Sequence, residues 1–322
     1  MDKSINYFGI DISKDVFDVA DSAGNHHQFT NSFKGFKKFL KLLNQQSHCV
    51  MEATGYYHNQ LAYFLLENNI KVSVENPLSV KRFIQMRLSK IKTDKSDAKM
   101  ICAYAQNVEP EPWIGQSKVQ QECLQIIRLL TLYFKQSTAL KNKIHGEKTL
   151  GTPSKLVLQS LKTSLKQVQK QIEILEKNLH KLVKAEQQEM LTLLESIPGM
   201  GRKTSIMLIV LTDGFERFQT AGQLCSFAGL TPIIRQSGSS VRGRPRISKT
   251  GNQKLRNLLF MCSFTACQHN KACREIYQRI TAKGKSKKLA LMAICNKLLK
   301  QAFAISQSRI KYDENYRSLK PI

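Results

Sequence analysis

The chain has 322 residues, enough for two domains with cores of their own, and its 42% hydrophobic and 23% charged content excludes a mainly disordered protein. Fifty Lys and Arg against 24 Asp and Glu leave a formal charge of +26, and between Arg217 and Tyr312 the single carboxylate Glu275 faces 19 Lys and Arg, so a polyanionic partner is expected, nucleic acid first. No run of 18 or more apolar residues, signal peptide or anchored basic amphipathic end is seen, so the expectation is a cytoplasmic protein without a membrane partner.

Residues 1–112 alternate strand-like and helix-like patterns. Tyr7-Phe8-Gly9-Ile10-Asp11 and Val16 to Ala20 read as a hairpin, and strand character continues to Thr30. A helix is expected near 33–44, a strand near 48–52, a helix near 58–67 and a strand at 71–74, with two further helices after Asn76-Pro77. A hairpin-first sheet continued by strand-helix-strand units argues for a mixed α/β domain. Glu109-Pro110-Glu111-Pro112 closes it as a linker.

Four carboxylates fall where that pattern ends a strand or starts a helix. Asp11 ends an apolar run, Glu52 closes Cys49-Val50-Met51, and Asp94 and Asp97 share one face of the first turn of a helical pattern carried by Ala98, Ile101, Cys102 and Ala105. Hard divalent cations, Mg2+ or Mn2+, take oxygen ligands, and two of them about 3.5–4 Å apart stabilise both the attacking and the leaving oxygen of a phosphodiester. Asp11, Glu52, Asp94 and Asp97 are therefore candidate metal ligands and catalytic residues. A plainer reading of the helix start has Asp94 as its cap and Asp97 as a complement to its dipole. Asp11 resists such a reading, because a charge at the inner end of a strand-like run is costly to bury unpaired.

The stretch 113–186 is long-helix material. Leu124, Ile127, Leu130 and Phe134 make one stripe; after Gly151-Thr152-Pro153, Leu161, Leu165, Val168, Ile172, Leu175, Leu179 and Leu182 follow in alternating steps of four and three, a heptad seam. The seam serves either a coiled coil between copies, in a homodimer or tetramer, or a helical hairpin within one chain.

A basic C-terminal domain is expected over 187–322, mostly helical. Ser196-Ile197-Pro198-Gly199-Met200-Gly201 joins two apolar helices in a turn resembling a helix-hairpin-helix, which would aim backbone N–H groups, Arg202 and Lys203 at a phosphate without reading sequence. Such a turn also serves merely to join helices. The segment 233–246 lacks helix character and sets Ser237, Ser239 and Ser240 among Arg235, Arg242, Arg244 and Arg246, with Lys249, Lys254 and Arg256 following. A serine there is either a nucleophile whose transition-state charge the guanidiniums offset or a hydrogen-bond donor in a phosphate-gripping loop. Eight cysteines without CxxC spacing read as reduced core residues, and Cys262, Cys267, His269 and Cys273 are too irregular for a zinc site.

Taken together, these motifs resemble the family of Piv-type DNA invertases and DEDD-type insertion-sequence transposases, whose better-studied members are bridge-RNA-guided serine recombinases. Gly9-Ile10-Asp11, Met51-Glu52-Ala53-Thr54-Gly55 and Lys92-Thr93-Asp94-Lys95-Ser96-Asp97-Ala98 resemble that family's RuvC-like, ribonuclease H-like domain; Ser196 to Gly201, Phe227 to Pro232 and Ser237 to Gly243 resemble its transposase domain. The resemblance implies that Asp11, Glu52, Asp94 and Asp97 bind Mg2+ and that Ser237 forms a transient covalent bond to DNA, with Ser239 and Ser240 as rivals. It also implies DNA element ends and target as substrate, a structured guide RNA, assembly of the site across subunits, and action at the nucleoid of a bacterial cytosol. Two other readings stay open: a junction resolvase or nuclease with water as nucleophile, and a non-catalytic nucleic-acid binding protein.

Overall fold

Three antiparallel strands, β1 (Asn6–Ile12), β2 (Val16–Asp21) and β3 (His26–Thr30), begin the fold; β4 (Ser47–Glu52) and β5 (Lys71–Glu75) run parallel to β1 on its other side, giving the order β3-β2-β1-β4-β5. The computed structural model describes residues 5–53, 55–88, 93–234, 236–237, 241–242 and 246–315, with backbone alone at 236–237 and 241–242. They divide into two compact units, Met1–Gln116 and Ser117–Ile322.

In the first unit, helices cover both faces of the sheet. Phe8, Ile10, Phe17 and Met51 pack on Phe36 and Phe39 of α1 (Phe33–Leu40) and Leu61 and Leu65 of α2 (His58–Glu67). On the other face Tyr7, Ala20 and Val50 meet Val80 and Phe83 of α3 (Pro77–Met86) and Ala98 and Ile101 of α4 (Asp94–Val108). The result is the expected mixed α/β layering, set by strands apolar on both faces. The first helix is shorter than its pattern suggests, because Asn44 turns the chain: its Oδ1 accepts from Gln46 N at 2.9 Å and from the Ser47 hydroxyl at 3.1 Å.

The second unit opens with a helical hairpin, α5 (Lys118–Thr149) and α6 (Lys155–Glu195). The heptad seam is covered within the chain by α5: Ile172 and Leu179 are buried, and Leu161, Leu165, Val168, Leu175 and Leu182 are half-buried. Helix α6 bends at Gln187, whose backbone leaves helical values (φ −135°, ψ 40°). Beyond the bend come α7 (Arg202–Thr212), α8 (Ala221–Phe227), four two-residue strands from β6 (Pro232–Ile233) to β9 (Arg246–Ile247), and α9 (Gln253–His269), α10 (Lys271–Ala282) and α11 (Lys287–Ser308). One core, from Cys123 to Ile305, joins the hairpin to these helices.

Helix α11 is long and apolar enough to cross a membrane by length and composition, although Lys297 and Lys300 keep it from being an unbroken apolar run. Half of that stretch is buried, with Ala290, Ile294, Leu298 and Ala302 packed against the other helices, so its apolarity is that of a core helix. The cysteines are free thiols, all buried except the half-buried Cys267. Burial drives the thiols of Cys273 and Cys295 up to about 12, which keeps them protonated and unreactive.

Candidate active site and nucleic-acid interface

Alternation along β1 turns Tyr7, Gly9 and Asp11 to the α4 face of the sheet. The parallel register pairs Ile10 with Met51, so Asp11 and Glu52 follow one step later on adjacent strands and the same face. Gly9 is what lets α4 lie directly on β1: a Cβ there would stand 2.1 Å from Cys102 N and 2.3 Å from Ala98 O. That close approach brings the first turn of α4, with Asp94 and Asp97, to the Asp11 end of the sheet. The helix is capped by its neighbours, Thr93 Oγ1 accepting from Ser96 N at 3.1 Å and Ser96 Oγ from Thr93 N at 2.9 Å, so capping does not account for Asp94.

The electrostatics register this convergence. The Asp11 carboxyl is pushed up to about 6, first by burial and then by Asp97, Asp94, Glu52 and Asp18. All four sequence-predicted carboxylates thus lie in one field. Among the described residues no three His, Cys, Asp or Glu side chains close into a metal-binding group, so the carboxylates stand within electrostatic range of one another rather than drawn into a shell. Their chemistry suits a hard divalent cation: the donors are all carboxylate oxygens, and their mutual repulsion is of the kind a divalent charge offsets.

Two polar pairs on the same face were not legible as site residues. Asp18 is directly opposite Asp11 in the hairpin and only 3% exposed; its carboxylate lies 2.7 Å from His26 Nε2 and accepts from Gln28 Nε2 at 3.2 Å. These partners on β3 hold Asp18 on the far side of Asp11. At the other edge the Tyr104 hydroxyl donates to Glu75 Oε2 at 2.8 Å, and Glu75 is the register partner of Glu52. The short link Ser13-Lys14-Asp15 was the available signal for Asp18, since a tight hairpin fixes which residues face each other.

The described parts of the serine segment pair as two short two-stranded ladders. Pro232 and Ile233 pair antiparallel with Ile247 and Arg246, and beyond them Gln236 and Ser237 of β7 (Gln236–Ser237) pair with Arg242 and Val241 of β8 (Val241–Arg242). The backbone of Ser237 is therefore the last described step of a ladder. Arg235, Ser239, Ser240 and Arg244 lie outside the described residues, as do the side chains of Ser237 and Arg242.

Residues 191–278 match the family described as Transposase IS116/IS110/IS902, and residues 8–147 match a second transposase family, the DEDD type of IS110. The pilin gene-inverting protein of Moraxella bovis is 31% identical over 97% of this chain and 98% of its own length; that of Moraxella lacunata is 30% identical over the same shares. The chain belongs to the IS110 transposase family. The transposase for insertion sequence element IS1111A of Coxiella burnetii is 27% identical, over 84% of this chain and 80% of its own. As a member of that family, the chain is an enzyme of the DNA-cleaving and rejoining class.

In this IS110-family chain the predicted phosphate-binding residues separate into groups. Arg202, Lys203 and Lys254 line one cleft in the second unit, at the start of α7, which no side chain caps, and the start of α9. Arg202 Nε donates to Glu195 at 2.8 Å, and Lys203 pairs with Glu176 while its Nζ sits 4.3 Å from the centroid of the Phe134 ring. Arg246, in the ladder with Ile233, and Lys249 after it are exposed. Arg256 is committed elsewhere, donating to the Ala228 carbonyl at 2.8 Å at the end of α8.

Proposed function

We propose that this protein is a site-specific recombinase of an insertion element that cuts and rejoins DNA through a covalent phosphoserine intermediate. The single observation that carries the reading is the gathering of Asp97, Asp94 and Glu52 around the half-buried Asp11, whose carboxyl burial first and then these charges raise to about 6. The sheet order β3-β2-β1-β4-β5, antiparallel then parallel, suits a RuvC-like assignment of this unit.

In the mechanism, Asp11, Glu52, Asp94 and Asp97 hold Mg2+ or Mn2+, which supplies Lewis-acid polarisation of a phosphoryl oxygen when bound. The Ser237 oxygen attacks the scissile phosphorus, giving up its proton; the P–O bond to the deoxyribose breaks, and that oxygen leaves as a hydroxyl. Attack by a hydroxyl of the exchanged strand on the phosphoserine reverses these steps and regenerates Ser237, so no external energy is needed. The basic residues of the second unit grip backbone, and a structured RNA chooses the target. Support for that division is the stretch from Arg217 to Tyr312, where 19 cations face one carboxylate and backbone affinity carries no sequence information. Two or four copies assemble so that the carboxylates of one meet the serine of another. The full-length relatives include pilin gene inverters, and another is a transposase, so the same chemistry serves either outcome.

The test is incubation of the full chain with Mg2+ and a nicked suicide DNA substrate, with and without RNA transcribed from the element's flanks. An adduct mapped by peptide mass spectrometry to Ser237, absent in both Ser237→Ala and Asp11→Ala, is the expected result. Cleavage with free ends, abolished in Asp11→Ala and retained in Ser237→Ala, would replace the recombinase with a water-using nuclease.

A further inference from the structure

The cleft that collects Arg202, Lys203 and Lys254 has a volume of about 990 Å³ and is walled by α5, α6, α7 and α9. Its size matches small-ligand sites, about 300–1,000 Å³, rather than the broad saddle that a duplex backbone needs. The floor is apolar, built by Ile127, Leu130, Leu179, Ile206 and Leu258, and Phe134 stands in it with 37% of its surface exposed. The apolar floor and the part of the Phe134 ring left uncovered by the Lys203 ammonium, which sits 4.3 Å from the ring centroid, have no use for a phosphate. A flat, π-bearing face would cover them, and every nucleobase has one.

The charge on the rim complements the rest of a nucleotide. Lys203 and Arg202 are already paired with Glu176 and Glu195, whereas Lys135 and Lys254 have no acidic partner among the described residues. The Lys254 ammonium is held below its ordinary pKa by partial burial and by the neighbouring charges of Lys135 and Arg128, a crowding of cations that an anion relieves. Asn142 and Asn257 on the same walls make no side-chain hydrogen bond to other described residues and offer donors and acceptors to a base edge.

We propose that this cleft receives one unpaired nucleotide of a nucleic-acid strand, its base against Phe134 and its flanking phosphates at Lys135 and Lys254. The inference rests on the nucleic-acid reading above and adds to it a receptor for a base taken out of the stack. DNA and RNA share that chemistry, and the test separates them. Binding to the full chain is followed by fluorescence anisotropy with a short oligodeoxythymidine, an oligouridine, an abasic version of the first, and a blunt duplex. Phe134→Ala is expected to weaken single-strand binding about 5- to 100-fold, the size of one base–aromatic stack, while duplex affinity is unchanged. Phe134→Tyr restores it, and the abasic strand binds wild type as weakly as oligodeoxythymidine binds Phe134→Ala. Loss confined to one of the two single strands identifies the source as DNA or RNA. Single-strand affinity within twofold of wild type in Phe134→Ala overturns the inference, and salt-dependent duplex binding in that experiment leaves the nucleic-acid reading standing. If wild type binds neither strand nor duplex, both fall together.

Discussion

Replacing Asp11 by Asn is expected to make the protein more stable and inactive at once. A carboxyl held near 6 instead of 3.8 costs the folded state about 3 kcal/mol at neutral pH if unscreened; Asp11 is only half-buried, and solvent reduces this to about 1–2 kcal/mol. The sign follows from proton binding. With the folded pKa raised, the folded state holds the proton more tightly, so the penalty is absent below pH 3.8, grows as pH rises towards 6 and is complete above it. Asp11→Asn removes the ionisation, and calorimetry at pH 7 is expected to show the melting of the N-terminal unit raised by about 3–6 °C. The gain shrinks as pH is lowered through 6 towards 4. Mg2+ added to wild type recovers much of the same stability by mass action and stabilises Asp11→Asn far less. A variant that melts at or below wild type at pH 7, or an Mg2+ response equal in both proteins, would refute the assignment of Asp11 to a shared carboxylate field.

Gly9→Ala pushes a methyl into the α4 backbone and is expected to cost about 1–3 kcal/mol and to abolish Mg2+-dependent cleavage by displacing Asp94 and Asp97, measured by thermal melting and a cleavage assay on the soluble fraction. Asp18→Asn breaks the contact with His26 in a buried setting; about 1–3 kcal/mol is lost in chemical denaturation, and the fraction that folds still cleaves DNA. Arg256→Ala and Lys254→Ala separate the two kinds of cation. The first lowers the melting temperature by freeing the Ala228 carbonyl, and the second leaves stability intact but lowers the slope of log affinity against log salt by about one.

Much of this architecture was written in local patterns. Apolar runs placed β1, β2, β4 and β5, since a strand between two helix layers must be apolar on both faces and is bounded by turn residues, whereas the exposed edge strand β3 is left open between two strands and three. The carboxylates stood out for the same reason, because Asp11 interrupts a run that burial demands be apolar. Charge excess pointed to a polyanion without any structure, as net charge is additive along a chain.

What the tertiary structure decided depends on groups far apart in sequence. A heptad stripe reads the same whether its partner is α5 or a second copy, because burial needs only another apolar surface; the fold put α5 there. Gly9 looked like one more small residue in a strand until Ala98 and Cys102 were found against it. Asp18 was a polar residue in a hairpin until the register set it across from Asp11. The cleft around Phe134 is assembled from α5 and α6 on one side and α7 and α9 on the other, so no window of sequence contains it. Periodicity and charge are properties of segments and survive in the linear chain, whereas close backbone approach, shared electrostatic fields and concave surfaces exist only between segments, once the chain has folded.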